Sequence, residues 1–537
     1  MKKNLLLLVT ILTLFSCNKE KVDLIVINSN TYTVNTSFDK AEAFAIKDGV
    51  FIAVGKNEEI TGRYQSDTIV DAENKTIVPG LIDAHCHFYR MGLQQQKVSL
   101  EGTKSYDEVL EKLVAFQKEK NNTFITGRGW DQNDWELKEF PTKEKLDALF
   151  PKIPVAVGRV DGHALLVNQV AINMAGITKN TKVSGGEIIL KNGKLTGVLI
   201  DAAMDFIKFP KTSNKEASQG LLDAQKIAFS YGLTTVDDAG LDRKTIELID
   251  SLQKAKSLKI RVYAMVSGDK QAQIDYYIKK GIVKTDKLNV RSFKIYGDGA
   301  LGSRGAAMRT SYSDRENHFG ALIYSPERYQ EIAKQIAASE YQMNTHAIGD
   351  SANTWMLKTY KEVLKNTKNR RWRIEHAQII SEEDFDHFDN ILPSVQPTHA
   401  TSDMYWAEDR VGKERMKGAY AFKKLLNTYG KIALGTDFPV EQVNPFLTFY
   451  AATVRKDTDN YPKDGFQTEN GLSREETLKG MTIWAAYSNF EEDEKGSIEV
   501  GKYADFVLLN QDIMKVEGSE IPKTNAISTY LNGEKVY

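Results

Sequence analysis

The chain has 537 residues, 41% hydrophobic and 27% charged, which is ordinary for a soluble globular protein. Lys and Arg (71) nearly cancel Asp and Glu (72), and no long single-sign block occurs, so the basic excess of a nucleic-acid protein is absent. The length exceeds one simple core and points to two or three domains, although an α/β barrel absorbs about 250 residues alone.

The first twenty residues, MKKNLLLLVTILTLFSCNKE, stand apart. Lys2 and Lys3 make a positive start, and Leu5 to Phe15 is an apolar core of secretory-signal length. It is too short for a membrane-spanning helix of about 20 residues. Leu14-Phe15-Ser16-Cys17 resembles the bacterial lipobox. That resemblance implies a signal peptide over 1–17, lipid on Cys17, and an exported lipoprotein anchored on the periplasmic or outer side of a membrane. An ordinary signal peptide is the alternative. With Cys17 lipidated, only Cys86 remains, so no intrachain disulfide is available and the fold rests on its cores.

Short alternating runs come next: VDLIVINSNTYTV, AEAFAIKDGVFIAVG and DTIVDAENKTIVPG. With Asp48-Gly49 as a turn they read as hairpins of a small β unit. The C-terminus has the same texture in GSIEVGKYADFVLLN and AISTYLNGEKVY, where Asn532-Gly533 is a turn. Chain ends often lie close together, so 22–79 and 490–537 are expected to share one β domain.

Between them the pattern becomes βα alternation. Strands are expected at 81–87, 233–239, 260–266, 292–298, 342–348, 372–378, 392–397 and 432–438, with a helix such as 325–340 between neighbours. Eight strands with helices give an α/β fold, a (β/α)8 barrel over 80–94 and 221–489. The interval after the first strand is far longer than an ordinary βα loop, so 95–220 is an insertion with its own strands and helices. The stretch GDGALG, Gly297 to Gly302, fits a dinucleotide fingerprint. The next residues, SRGAAMRTSYSD, lack a helical apolar period, so nucleotide binding is rejected.

The first barrel strand ends in LIDAHCH. Side chains alternate along a strand, so His85 and His87 share a face and Cys86 points away. Two imidazoles about 7 Å apart by strand rise suit one metal ion. Later strands end in Lys294, His346, His376 and Asp437. At the C-terminal rim of a barrel all of these meet in the active-site mouth.

On these residues the chain resembles the amidohydrolase superfamily of metal-dependent hydrolases. VPGLIDAHCH, GLTTVDDAG, GTD and GSIEVGKYADFVLL carry the match. GRGWD, VDGHALLVN and KIYGDGALGSRGA narrow it to the amidohydrolase 3 group, which includes N-substituted formamide deformylase. The resemblance implies a barrel with a small β-sandwich built from both termini. It also implies one metal on His85, His87 and Asp437, a second on His346 and His376, and a carbamate on Lys294 shared by both. A buried lysine loses its proton readily, which suits reaction with carbon dioxide. An ion pair of Lys294 with Asp298 or Asp437 is the open alternative. The ligand types favour zinc, one or two per chain, with iron, manganese, cobalt or nickel open.

The expected chemistry is hydrolysis of a carbon–nitrogen bond in a small non-peptide amide or formamide-like molecule, with Asp437 as the base. Substrate contacts are sought at Trp130, Asp131, His163 and His399. Trp130 and Trp135 either wall the mouth or pack the insertion's own core. His163 either meets substrate or is structural. Competing functions are a mononuclear deaminase acting on a cyclic amidine, and a surface lipoprotein that binds without turnover. A homodimer is expected from family habit.

Overall fold

The computed structural model describes residues 19–537, so Cys17 and the signal-like segment lie outside the described residues. The chain forms two compact units. The first takes the chain up to Cys86, Lys226–Arg243 and Lys259–Tyr537; the second takes His87–Gln225 and Lys244–Leu258.

The first unit contains eight parallel strands in chain order: β1 (Leu81–Cys86), β2 (Leu233–Leu241), β3 (Arg261–Ser267), β4 (Leu288–Tyr296), β5 (Gln342–Ala347), β6 (Arg373–His376), β7 (Leu392–Val395) and β8 (Ala433–Leu434). Almost every residue in them is buried, as a parallel sheet covered on both faces requires. β8 ends sooner than expected because the chain leaves the ladder at Gly435. From there it closes the ring against β1. Asp437 N–H donates to the His85 carbonyl (2.8 Å), and Thr436 donates from its N–H (3.0 Å) and hydroxyl (2.7 Å) to the Asp83 carboxylate. A side chain at Gly435 would meet the His85 backbone nitrogen at 2.5 Å, so this close approach needs glycine. This is a (β/α)8 barrel.

Its helices follow from local sequence. Ser325 caps Pro326–Ala337 by accepting from the Arg328 N–H (3.3 Å), with proline in the first turn. Tyr329, Ile332, Ala333 and Ile336 form its buried stripe at helical spacing.

Strands from both ends of the chain share one six-stranded sheet: Glu534–Lys535, Ala526–Leu531, Phe506–Leu509, Thr76–Pro79, Asn30–Tyr32 and Lys40–Ala41. A four-stranded sheet of Val50–Gly55, Ala43–Lys47, Leu24–Ile27 and Ile69–Asp71 completes the sandwich. Asp48 and Gly49 take φ of 52° and 78°, the double positive φ of a primed hairpin turn. Phe44, Phe51, Phe506 and Tyr530 form the centre of the shared core, and Phe506 stacks on Tyr530 at 4.3 Å. Each such ring contributes roughly 1.5–3 kcal/mol by burial.

The second unit holds a mixed six-stranded sheet ordered Val98–Ser99, Ile125–Trp130, Val155–Arg159, Ala164–Val167, Lys194–Asp201 and Gly186–Lys191. Helix Tyr106–Lys120, capped by Ser105, buries Val109, Leu110 and Leu113 in the same core as the sheet. This sheet and helix lie within the large insertion after the first barrel strand.

Candidate metal centre

Five of the barrel strands, or the turns just past them, bring titratable side chains to one place. His85 near the end of β1 is fully buried. Its ring centroid lies 4.9 Å from that of His376, and His376 lies 4.5 Å from His346. Lys294 on β4 places its amine 3.0 Å from His85 Nε2. Asp437, three residues past β8, has Oδ1 3.8 Å from the same nitrogen. His87 is the first residue of the second unit; it is half-buried and stands at the position before helix Phe88–Gln94.

Electrostatics keep this cluster in a ligand-ready state. Burial, reinforced by the neighbouring Lys294, pushes His346 down to about 3. Burial and the neighbouring histidines hold His376 well below the usual imidazole range. Burial also lowers His85, against the pull of Glu375. Neutral imidazoles are metal ligands and imidazoliums are not. Burial brings the Lys294 amine down to about 8, with Glu375 and Asp437 opposing.

The backbone is strained at the same spot. His376 has φ of +73°, Ala377 of +43° and Asp437 of +63°. Non-glycine residues in that region each store about 1–3 kcal/mol, and such residues cluster at functional sites. Here the strain turns His376 and Asp437 off the ends of β6 and β8.

The residues fit a divalent cation. His346 Nε2 and His376 Nδ1 are buried with no hydrogen-bond partner among the described residues, although His346 Nε2 comes within 3.5 Å of Asp298 Oδ1. An unsatisfied buried nitrogen costs about 1–3 kcal/mol. The two rings stand edge to face with centroids 4.5 Å apart, and ligand atoms of His376 lie within 4.8 Å of those of His399 and Asp437. Imidazole nitrogen and carboxylate oxygen are the donor types that zinc takes.

His399, one turn into helix Pro397–Asp403, joins the cluster. Its Nε2 lies 3.1 Å from Asp437 Oδ2 and its Nδ1 3.1 Å from Glu441 Oε1. Burial disfavours its charge, yet the two carboxylates raise it to about 10.

The other expected substrate contacts fare differently. Trp130 is fully buried in the insertion's core beside Trp135, and its indole N–H donates to the Val157 carbonyl (2.9 Å). The reading of Trp130 as a mouth wall is corrected: its ring is consumed by packing. Asp131 caps the turn Gln132–Asp134 and pairs with Arg159 (2.6 Å). His163 is exposed, with Nδ1 2.7 Å from Asp201. That hydrogen bond raises its pKa. Cys86 points away from the cluster, and its thiol donates to the Asp237 carbonyl (3.5 Å).

A layer beneath the histidines was missed in the sequence. Glu375 accepts from His85 Nδ1 at 2.6 Å, both side chains being fully buried. This fixes the tautomer and aims Nε2 at the centre. Burial works against ionisation of Glu375, but His85 and Arg373 hold its carboxyl below the usual range. Arg373 in turn pairs with Asp237 (3.0 Å), which also accepts from Asn489 Nδ2 (2.7 Å). The signal was present: Arg373 and Glu375 alternate around Ile374, as Asp83 and His85 do around Ala84, and charges spaced by two share one face.

Comparison with known proteins agrees with this architecture. The sequence profile described as "Amidohydrolase family" matches residues 68–537. The chain is 32% identical over 538 residues to Protein LONG AFTER FAR-RED 3 of Arabidopsis thaliana, covering 96% of this chain and 91% of that one. It is 24% identical to N-substituted formamide deformylase of Arthrobacter pascens, covering 95% and 97%. Among solved structures, an uncharacterized metal-dependent hydrolase from Pyrococcus furiosus superposes with a TM-score of 0.75 at 25% identity, over 92% of this chain and 100% of that one. A barrel carrying a rim of histidines, a lysine and an aspartate defines a class of metal-dependent hydrolases. The chain belongs to the amidohydrolase family, in its amidohydrolase 3 group.

Proposed function

We propose that this enzyme hydrolyses a carbon–nitrogen bond in a small non-peptide amide, formamides included. The observation that carries the reading is the convergence of His85, Lys294, His346, His376 and Asp437, with two buried imidazole nitrogens that have no hydrogen-bond partner among the described residues. The relative named N-substituted formamide deformylase supports the bond class.

His85, His87 and Asp437 are the proposed holders of one divalent ion, in keeping with ligand atoms within 4.8 Å of one another. His346 and His376 are proposed for a second, with carboxylated Lys294 as a shared ligand. The lowered pKa of Lys294 supports the carbamate, because only a neutral amine attacks carbon dioxide. Zinc suits imidazole and carboxylate without thiolate. Such an ion supplies Lewis acidity, which acidifies water and polarises a carbonyl.

The chain's own residues then divide the work. The Asp437 carboxylate takes the proton of the attacking water and delivers it to the departing amine nitrogen as the carbon–nitrogen bond breaks. His399, hydrogen-bonded to Asp437, holds that carboxylate in one orientation. Asp131 and His163 of the insertion are proposed to meet substrate, since His163 presents an exposed ring whose tautomer Asp201 sets. Lipid on Cys17 is proposed to tether the enzyme to a membrane; a Cys17→Ser variant that stays in the membrane fraction would count against it.

The test is a panel of amides, N-substituted formamides and cyclic amidines, assayed with zinc-loaded enzyme. Amine release from amides or formamides is expected. Tight substrate binding without turnover across the panel would overturn the reading in favour of a capture protein.

A further inference from the structure

Tyr296 ends β4, two residues past Lys294, so their side chains share one face of the strand. Its ring centroid lies 5.8 Å from that of His346 and 5.3 Å from the Lys294 amine. The ring therefore borders the metal centre. Its hydroxyl reaches the end of β2, where a side chain at Gly240 would meet it at 3.2 Å. Tyr296 thus fills the rim from β4 toward β2.

The backbone at this point is pinned. The buried Tyr329 hydroxyl reaches the Tyr296 and Gly297 carbonyls (2.9 and 2.8 Å). The loop after β4 then returns and adds a second apolar group. Leu322 bridges Asp298, and the Ile323 N–H donates to the Gly297 carbonyl (3.0 Å). Tyr296 and Ile323 keep 36% and 53% of their surface exposed. Single exposed apolar residues are ordinary on a surface. Two brought together by backbone pairing beside a metal centre make a wall for a ligand.

The far side of the ring is built differently. In a ring of eight strands β8 lies across from β4. The chain past β8 brings Asp437, hydrogen-bonded to His399 (3.1 Å). Asp437 is the group proposed above to return the proton to the departing amine, so the amine nitrogen lies on the β8 side. An amide carbonyl carbon is trigonal, so its acyl substituent points away from that nitrogen, toward β4.

We propose that Tyr296 and Ile323 form the acyl subsite and set specificity. The preferred substrates carry an apolar acyl substituent larger than the hydrogen of a formamide. This rests on the carbon–nitrogen hydrolase reading and narrows it. A hydrogen leaves the wall wet. A charged acyl arm loses water against two apolar side chains, whereas an apolar arm removes both surfaces from water.

The test is a series of formyl, acetyl, butyryl and succinyl derivatives of one amine, cleaved by zinc-loaded full-length enzyme. The amine is 4-nitroaniline or, where that is not released, butylamine. In kcat/KM, wild type should favour butyryl over acetyl and acetyl over formyl, and butyryl over the charged succinyl by about 10-fold or more. Tyr296→Ala should shrink the butyryl-to-acetyl ratio about 10-fold. Ile323→Asn, a loop change further from the centre, should shrink it in the same direction, and bound zinc counted by mass spectrometry shows that the centre is intact. Wild type that prefers formyl or succinyl overturns this inference and leaves the hydrolase reading standing, as do two zinc-loaded variants that both keep the wild-type ratio. Release of neither amine from any member overturns the hydrolase reading and this inference together.

Discussion

The first unit treats buried charge in two opposite ways. Near the starts of β3 and β4, charges are matched. Arg261 makes a two-pronged pair with Asp505 (2.8 and 3.1 Å), while Glu491 is gripped by Lys284 and Lys495. At the ends of the strands, charge is left over among the described residues: a buried lysine whose amine lies against His85, imidazole nitrogens without hydrogen-bond partners, and residues held at positive φ. The barrel thus stores stability at one end and tension at the other. Groups left unsatisfied by the protein are available to a ligand, and this separates a site from a scaffold.

Four substitutions probe that contrast. The largest effect is expected for Asp437→Asn, which removes the proposed base and a ligand together. Turnover should fall about 10³-fold, with weaker zinc retention on dialysis; near-normal turnover would remove Asp437 from the mechanism. Glu491→Gln should act on stability instead, by about 3–5 kcal/mol, because it strands the buried Lys495, while Lys284 keeps Glu494. Urea unfolding measures it.

The same residue gives a pH dependence. Burial pushes Glu491 up, but Lys495 and Lys284 overcome this and hold it at about 2. A depressed carboxylate stabilises the fold above the unfolded value of about 4.3, and this stability is lost as pH falls from there toward 2. Between pH 6 and pH 3, wild type should therefore lose more stability than Glu491→Gln. Equal losses would show that another group governs the acid limb.

Glu375→Gln comes third. It removes the charge that sets the His85 tautomer, so zinc affinity should fall about 10–100-fold with little change in unfolding midpoint. An unchanged affinity would make Glu375 a mere packing partner. The smallest effect has the opposite sign. Lys294→Met replaces a buried amine by an isosteric apolar chain and should stabilise metal-free protein by about 1 kcal/mol while lowering activity. A destabilised variant would mean that the amine has a stronger partner than His85.

How much of this was legible in advance varies by residue. The eight strands and the rim residues at their ends were readable, because apolar runs and alternation are local properties. β8 was drawn too long at 432–438, since nothing local says that Gly435–Asp437 must leave the ladder to close against β1. Trp130 was ambiguous, because the same aromatic serves a wall or a core and only the packed insertion decides. Nothing local marks the acid behind His399, because Glu441 lies 42 residues further along the chain.

The sequence by itself determined the alternation of strands and helices, the paired β segments at the two ends, and which side chains cap each barrel strand. Those properties depend on spacings of two to four residues, which the chain states outright. Tertiary structure alone decided that Glu375 stands behind His85, 290 positions away, and that His399 sits between two acids. Such pairings exist only once the ring of strands closes, because closure removes water and leaves each buried polar atom to find its partner inside.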